Sequence, residues 1–207
     1  MRGKFISFEG PDGSGKTSVI KIVEAYFRDK GYDVLITREP GGIKISEKIR
    51  DIIHDVEHQE MDPRTEALLY AASRSQHLHQ KIIPAINQGK IVLCDRYVDS
   101  SLAYQGFGRH LGYDEVLAIN MFAIGGVFPD LTIFVDVKPE IGLRRVFSTE
   151  EREKNRLDLE PLDFHKQIYE GYQEIIKRFP DRIKRINGEQ DRDSVAKEAI
   201  DIIEKIL

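Results

Sequence analysis

Short apolar runs alternate with longer stretches whose apolar residues recur at helical spacing along the whole chain. Phe5-Ile6-Ser7-Phe8, Asp33-Val34-Leu35-Ile36-Thr37, Ile91-Val92-Leu93-Cys94 and Leu131-Thr132-Ile133-Phe134-Val135 read as strands, with Ile183 to Ile186 a fifth and weaker one. Between them, Val19, Ile22, Val23, Tyr26 and Phe27 mark a helix stopped by Gly31. Ser46 is the expected cap of a helix whose buried stripe is Ile49, Ile52, Ile53 and Val56. Asp62-Pro63 reads as the cap and first residue of the next helix, and Pro84 implies a kink or restart before Gly89. Val116 to Phe122, a segment after Pro139, Phe164 to Ile175, and a last segment capped by Asp193 and buried through Val195, Ile202, Ile203 and Ile206 supply further helices. Strands alternating with helices predict an α/β domain spanning residues 1–207. Its architecture is three-layered, a five-stranded parallel sheet flanked by helices with right-handed crossovers.

Composition narrows the classes. A chain of 207 residues suits one substantial core, and no linker or repeat divides it. The net charge of −4 gives no electrostatic footprint for nucleic acid or an anionic membrane. No apolar run is long enough to span a bilayer, and the first strand begins too early to leave room for a signal peptide. Cys94 is the only cysteine, which fits a reducing cytoplasm and excludes an intrachain disulfide.

The chemistry begins in the first turn. Gly10-Pro11-Asp12-Gly13-Ser14-Gly15-Lys16-Thr17 has two glycines five residues apart, then Lys and a hydroxyl residue, between a strand and a helix. Such a loop bares backbone N–H groups that cradle a polyphosphate, with Lys16 reaching its outer phosphates and Thr17 placed to hold Mg²⁺. Arg38-Glu39 and Asp95-Arg96 also follow strands directly, so all three segments converge on the rim beyond the carboxyl ends of a parallel sheet. Asp95 is placed as the second metal-site group, or as a turn former. Two arginines on one rim point to a second phosphate-bearing ligand, because the planar guanidinium matches phosphate oxygens in pairs. A signalling GTPase is excluded. The position that would read Asp-x-x-Gly is Asp95-Arg96-Tyr97-Val98, and no Asn-Lys-x-Asp box occurs.

Four blocks in order extend the pattern: the loop itself, Thr37 to Gly42, Glu66 to Arg74, and Asp95 to Gly106. Together they resemble the thymidylate kinase family of P-loop nucleoside monophosphate kinases, from the first strand to the last helix. The resemblance implies transfer of the ATP γ-phosphoryl group to dTMP with Mg²⁺, by a homodimer. It makes Gly10, Pro11, Asp12, Gly13, Ser14, Gly15, Lys16, Thr17 and Ser18 the ATP-binding residues, and Thr17 and Asp95 the metal-site pair. Asp12 corresponds to the carboxylate that accepts the deoxyribose 3′-hydroxyl hydrogen bond, and Arg38 and Arg96 to the arginines that align the acceptor phosphate. Tyr70 takes the place of the aromatic that stacks on thymine, often Phe. Arg74, one helical turn on, matches the arginine on a thymine carbonyl. Ser101 matches the polar position at the base N3 edge, Tyr104 the tyrosine that crowds the 2′ position, and Gln105 lies nearby. Without the resemblance, Tyr70 and Tyr104 read as core residues and Ser101 as part of a cap.

The charged run from 147 to 161 reads as a solvated loop by composition and as the lid by resemblance. Gly13 stands where some members carry an arginine, which moves the catalytic arginine to the lid: Arg156 first, Arg152 second. Lys16, Arg96, Asp95 and the lid arginine are thus the candidate catalytic residues. Arg144 or Arg145 is the candidate for packing on adenine. His54 and His58, at helical spacing with no third ligand, read as a solvated helix face rather than a metal site. The alternatives are a kinase for another nucleoside monophosphate or a deoxynucleoside, and a nucleotide-binding module without turnover.

Overall fold

The computed structural model describes residues 2–148 and 155–207. Its sheet is parallel throughout, in the order β2-β3-β1-β4-β5, with β1 Lys4–Glu9, β2 Val34–Arg38, β3 Ile91–Asp95, β4 Leu131–Asp136 and β5 Ile183–Asn187. All five predicted strands are present. β1, β3 and β4 are buried on both faces, which is why their sequences are continuous apolar runs.

The pleat sends alternate residues to two cores. Ile6, Phe8, Ile91 and Leu93 pack with α1 (Lys16–Asp29) and α9 (Arg192–Ile203). Phe5, Val92 and Cys94 face the opposite layer, α3 (Pro63–His77), α4 (Ile83–Asn87) and α6 (Tyr113–Ile124). A third cluster joins α6 to α8 (Leu162–Arg178) through Leu102, Tyr104, Phe164 and Tyr172.

Several local expectations change. Ser46 does not cap α2 (Lys44–His54); it lies inside the helix, buried, and donates to the Ser73 carbonyl at 2.9 Å. Of the stripe expected on α2, Ile53 is buried while Ile52 is exposed, and Val56 lies exposed beyond the helix end. Asp62 caps α3 as expected, accepting from the amides of Arg64 and Thr65. The cap of α9 is Asp191, not Asp193, because Asp191 reaches the amides of both Asp193 and Ser194. Pro84 stands in the first turn of α4, where the helical pattern changes as expected. A π-helical turn, Leu78–Ile82, carries α3 into α4, and its wider ring accommodates a residue that lacks an N–H.

The polar segment after β3 is a buried helix: α5 (Val98–Ser101) continues into a π-helical turn, Leu102–Gly108. Its polar side chains are satisfied by other buried polar groups, which composition alone does not reveal. The described end of the charged run, 155–161, departs from its expectation in the same way. Asn155 and Asp158 cap each other around a short 3₁₀ turn, Arg156–Leu159, in which Arg156, Leu157 and Asp158 are buried.

Candidate active site

The carboxyl ends of β1, β2 and β3 open on one cleft of about 510 Å³. One end of it is the glycine loop. Lys16 Nζ donates to the carbonyls of Gly10 and Pro11, each at 3.0 Å, and to Ser14 Oγ at 3.2 Å. Burial lowers its pKa to about 8, with Arg96 adding to the effect, against the opposing pull of Asp95, Asp12 and Glu9. Thr17 Oγ1 donates to Asp95 Oδ2 at 2.6 Å. A hydroxyl and a carboxylate this close, at the exposed rim, form the small hard-oxygen donor set that suits Mg²⁺, which keeps most of its waters.

The loop rests on α7 (Pro139–Ser148) backbone to backbone. A Cβ at Gly13 would lie 2.1 Å from the Gly142 carbonyl oxygen, and one at Gly142 would lie 2.3 Å from the Asp12 carbonyl oxygen. Gly13 also has φ +74°. This approach leaves no room for a side chain at position 13.

Arg96 joins the loop to the rest of the cleft. Its backbone is left-handed, φ 71°, a conformation that non-glycine residues hold only when their surroundings impose it. Its amide donates to Phe8 O at 2.9 Å, and one guanidinium nitrogen donates to Gly10 O, Ser100 Oγ and Tyr172 OH. The other reaches Asp12 Oδ1 at 2.8 Å and Tyr104 OH at 3.0 Å, and Tyr104 OH donates to Asp12 Oδ2 at 2.6 Å. Asp12, Arg96 and Tyr104 therefore form a closed triangle across three elements.

The far wall comes from α3 and the helix after β3. Arg74, almost wholly buried, donates to Glu39 Oε2 at 2.7 Å, to Ser101 Oγ at 2.9 Å, to the Tyr97 carbonyl and to Asn120. Glu39 also accepts contact from His77, which holds Thr37. Tyr70, Ser101, Tyr104 and Gln105 line the cleft with it. Arg38 reaches the rim but pairs with Glu47 at 2.8 Å in an exposed contact.

Arg156 is placed elsewhere than expected. Its guanidinium is buried on Glu66 and donates to the Ile53 carbonyl, away from the glycine loop. Glu66 also receives Arg109 at 3.1 Å and Gln105 Nε2 at 2.8 Å, and Arg109 binds Glu160 at 2.6 Å. Burial pushes the Glu66 pKa up, but Arg109, Gln105 and Arg156 outweigh it and hold the carboxyl below its usual value. Arg152 lies outside the described residues. Of the adenine candidates, Arg145 lines the cleft and contacts the carbonyls of Gly13 and Gly188, while Arg144 is exposed on the helix.

Two groups of the cleft and two behind it escape a sequence reading. Arg50 and His54, one turn apart on α2, line the cleft. His54 is not on a solvated face: burial, then Arg50, lowers its pKa to about 3, so it is neutral. Glu9 and Tyr172 meet behind Arg96. Of these only Glu9 carries a signal, an acid closing an otherwise apolar strand. Among the described residues no group of three or more His, Cys, Asp or Glu could hold a metal ion.

The family model described as thymidylate kinase matches residues 8–199. The thymidylate kinase of Oceanobacillus iheyensis is 58% identical over 207 residues, covering 100% of this chain and 92% of that protein. The one from a Geobacillus species (strain WCH70) is 61% identical over 195 residues, covering 94% and 93%. The crystal structure of thymidylate kinase from Ehrlichia chaffeensis superposes with a TM-score of 0.80 at 31% identity, covering 99% of this chain and 100% of that one.

Gly142→Ala is expected to push α7 off the loop and lower turnover by roughly tenfold to a hundredfold, with weaker ATP binding in an equilibrium titration. Arg156→Ala, which leaves a buried Glu66 one partner short, should lower stability by about 2 kcal/mol in a denaturant titration. Unchanged stability would mean that Arg156 does not hold the segment down.

Proposed function

This chain belongs to the thymidylate kinase family, and from that premise we propose how its residues transfer the γ-phosphoryl group of ATP to dTMP, giving dTDP and ADP. The observation that carries the proposal is the Asp12–Arg96–Tyr104 triangle, which joins a triphosphate loop to a second polar chamber in one cleft. The loop residues Gly10 to Ser18 bind the ATP phosphates, and Arg145 faces the adenine. Arg96 and Arg38 hold the acceptor phosphate; the exposed Glu47 is a partner Arg38 can exchange for it. Asp12, aimed by Arg96 and Tyr104, accepts from the 3′-hydroxyl, and the Tyr104 ring crowds the 2′ side. Tyr70 offers its face to thymine. Arg74 spends four N–H contacts on the protein and keeps a fifth donor for the base, beside Ser101 and Gln105.

The nucleophile is a phosphate oxygen already ionised near neutral pH, so the site needs position and positive charge rather than a strong base. Lys16 and Arg96 share the charge that develops in transfer, with Arg152 as the lid arginine now that Arg156 is engaged by Glu66. Thr17 and Asp95 would hold Mg²⁺, whose charge would offset that of the donor phosphates. Residues 1–207 act as one domain, with 147–161 as its lid. The single cysteine favours a cytoplasmic setting, and among the described residues no helix is long and apolar enough to cross a membrane.

A homodimer is supported by one face of the molecule. Ile45 and Ile52 on α2, Leu68 on α3, and Met121 and Phe122 on α6 are exposed, and Phe122 is 96% accessible. The three helices form one layer, so these side chains make an apolar surface that a second copy would cover.

In a coupled assay of dTMP, dUMP, dCMP, UMP and thymidine, dTMP should give the highest kcat/KM; preference for another acceptor would refute the assignment. Lys16→Ala and Arg152→Ala should each lower kcat roughly 10²- to 10³-fold with smaller effects on KM. Sedimentation should show a dimer for the unmodified chain and a monomer for Phe122→Asp, and a monomeric unmodified chain would remove the interface.

A further inference from the structure

Glu9 closes the central strand with no exposed surface, and its carboxylate is spent on three donors. Oε1 accepts the Tyr97 amide at 2.7 Å. Oε2 accepts Ser100 Oγ at 2.6 Å and Tyr172 OH at 2.9 Å. Those two hydroxyls are also the acceptors for one nitrogen of Arg96, at 3.1 and 3.3 Å, and lie 3.0 Å from each other. Two hydroxyls thus stand between a buried carboxylate and the guanidinium assigned to the acceptor phosphate.

The polarity of this chain follows from what each group can do. The Tyr97 amide only donates, so Oε1 is an acceptor in every protonation state, and a proton on Glu9 can reside only on Oε2. With the carboxylate ionised, both hydroxyls give their hydrogens to Oε2 and turn lone pairs toward Arg96. The negative charge polarises them into stronger acceptors, and the hold on Arg96 is charge-assisted. With Oε2 protonated, one hydroxyl must accept from it and turn its hydrogen away from the carboxylate, and the hold becomes an ordinary neutral one.

We propose that Glu9 is a positioning residue for Arg96, acting through Ser100 and Tyr172, and that its ionised form sets the catalytic geometry of the guanidinium. This rests on Arg96 serving the acceptor phosphate. Tyr172 belongs to α8, so the same chain ties the helix that follows the lid segment to the rim of the sheet. The charged and titratable groups that face Glu9 are Asp99 on α5, Cys94 on β3, Arg96 and Tyr97 after it, Tyr172 on α8, Arg182 before β5 and Lys16 on α1. Arg182 neutralises Asp99 in a paired contact at 2.7 and 2.8 Å. Burial, then Asp99, raises the Glu9 pKa to about 7, while Arg96, Ser100 and Tyr97 pull it down. Because the folded chain holds this proton more tightly than the unfolded one, Glu9 favours folding most below its ordinary carboxylate pKa. That contribution declines as pH rises toward about 7. Activity, which follows the ionised fraction in the folded chain, is expected to climb as pH passes through about 7.

The experiment compares the full chain with Glu9→Gln across the neutral range, with dTMP and ATP as substrates. The glutamine oxygen must face the Tyr97 amide, so its NH₂ sets donors where Oε2 accepted. Glu9→Gln should be at least as stable as the unmodified enzyme at alkaline pH, with its KM for ATP unchanged. Its kcat there should be lower by roughly tenfold, and it should lack the part of the acid limb that Glu9 contributes. The second ionisation of the dTMP phosphate, at about 6, is common to both proteins and drops out of the comparison. A Glu9→Gln enzyme with full kcat and an unaltered acid limb would overturn the proposal. Tyr172→Phe keeps the carboxylate and removes one relay hydroxyl; it should lower kcat severalfold, and full kcat in this variant would also overturn it. Arg96→Lys separates the two readings, since full kcat in that variant would remove Arg96 from the reaction rather than Glu9 from Arg96.

Discussion

Everything in the cleft depends on Arg96 being held in one place. It leaves β3 in a left-handed conformation, with its amide tied to Phe8 and its guanidinium held by Gly10, Asp12, Ser100, Tyr104 and Tyr172. Those partners come from the glycine loop, the helix after β3 and α8, so no one of them moves without the others. A guanidinium held this way needs little reorganisation, which is the condition under which a fixed positive charge counts most in phosphoryl transfer.

That preorganisation requires burying charge, and the fold does so in pairs. Glu39 holds Arg74, Glu66 holds Arg109 and Arg156, Asp99 holds Arg182, and Glu9 stands behind Arg96 with two hydroxyls between. An unpaired buried carboxylate would be costly, while a paired one with its lone pairs filled is tolerated and rigid. The Glu66 cluster has a second consequence. It fastens the 3₁₀ turn at Arg156–Leu159 to the helix that carries Tyr70 and to the Gln105 amide. The α3 wall of the cleft and the segment that carries Arg156 therefore share one carboxylate.

Membership of the thymidylate kinase family and the parallel sheet were both legible in the residues. The glycine loop, Arg38, Asp95 and Arg96 each follow an apolar run, and a run of that kind can end only at the rim of a parallel sheet. The polar helix at Val98–Gly108 was not legible, because its side chains are satisfied by distant partners rather than by water. Nor was the backbone contact of Gly13 with Gly142, which lie 129 positions apart in a chain whose glycines all look alike.

The sequence by itself determined the order of elements, the identity of the loop and which residue types reach the rim, since local periodicity and turn chemistry act over a few residues. Only the tertiary structure decided how charges are paired. It gave Arg156 to Glu66 rather than to the glycine loop, turned His54 into the cleft as a neutral imidazole, and put Glu9 behind Arg96. The physical reason is distance in the chain. A charge finds its partner through the packing of separate elements, and desolvation at that meeting point sets its state. The glycine loop was recognisable from its spacing alone, but the carboxylate behind Arg96 became visible only once β1, α5 and α8 came together.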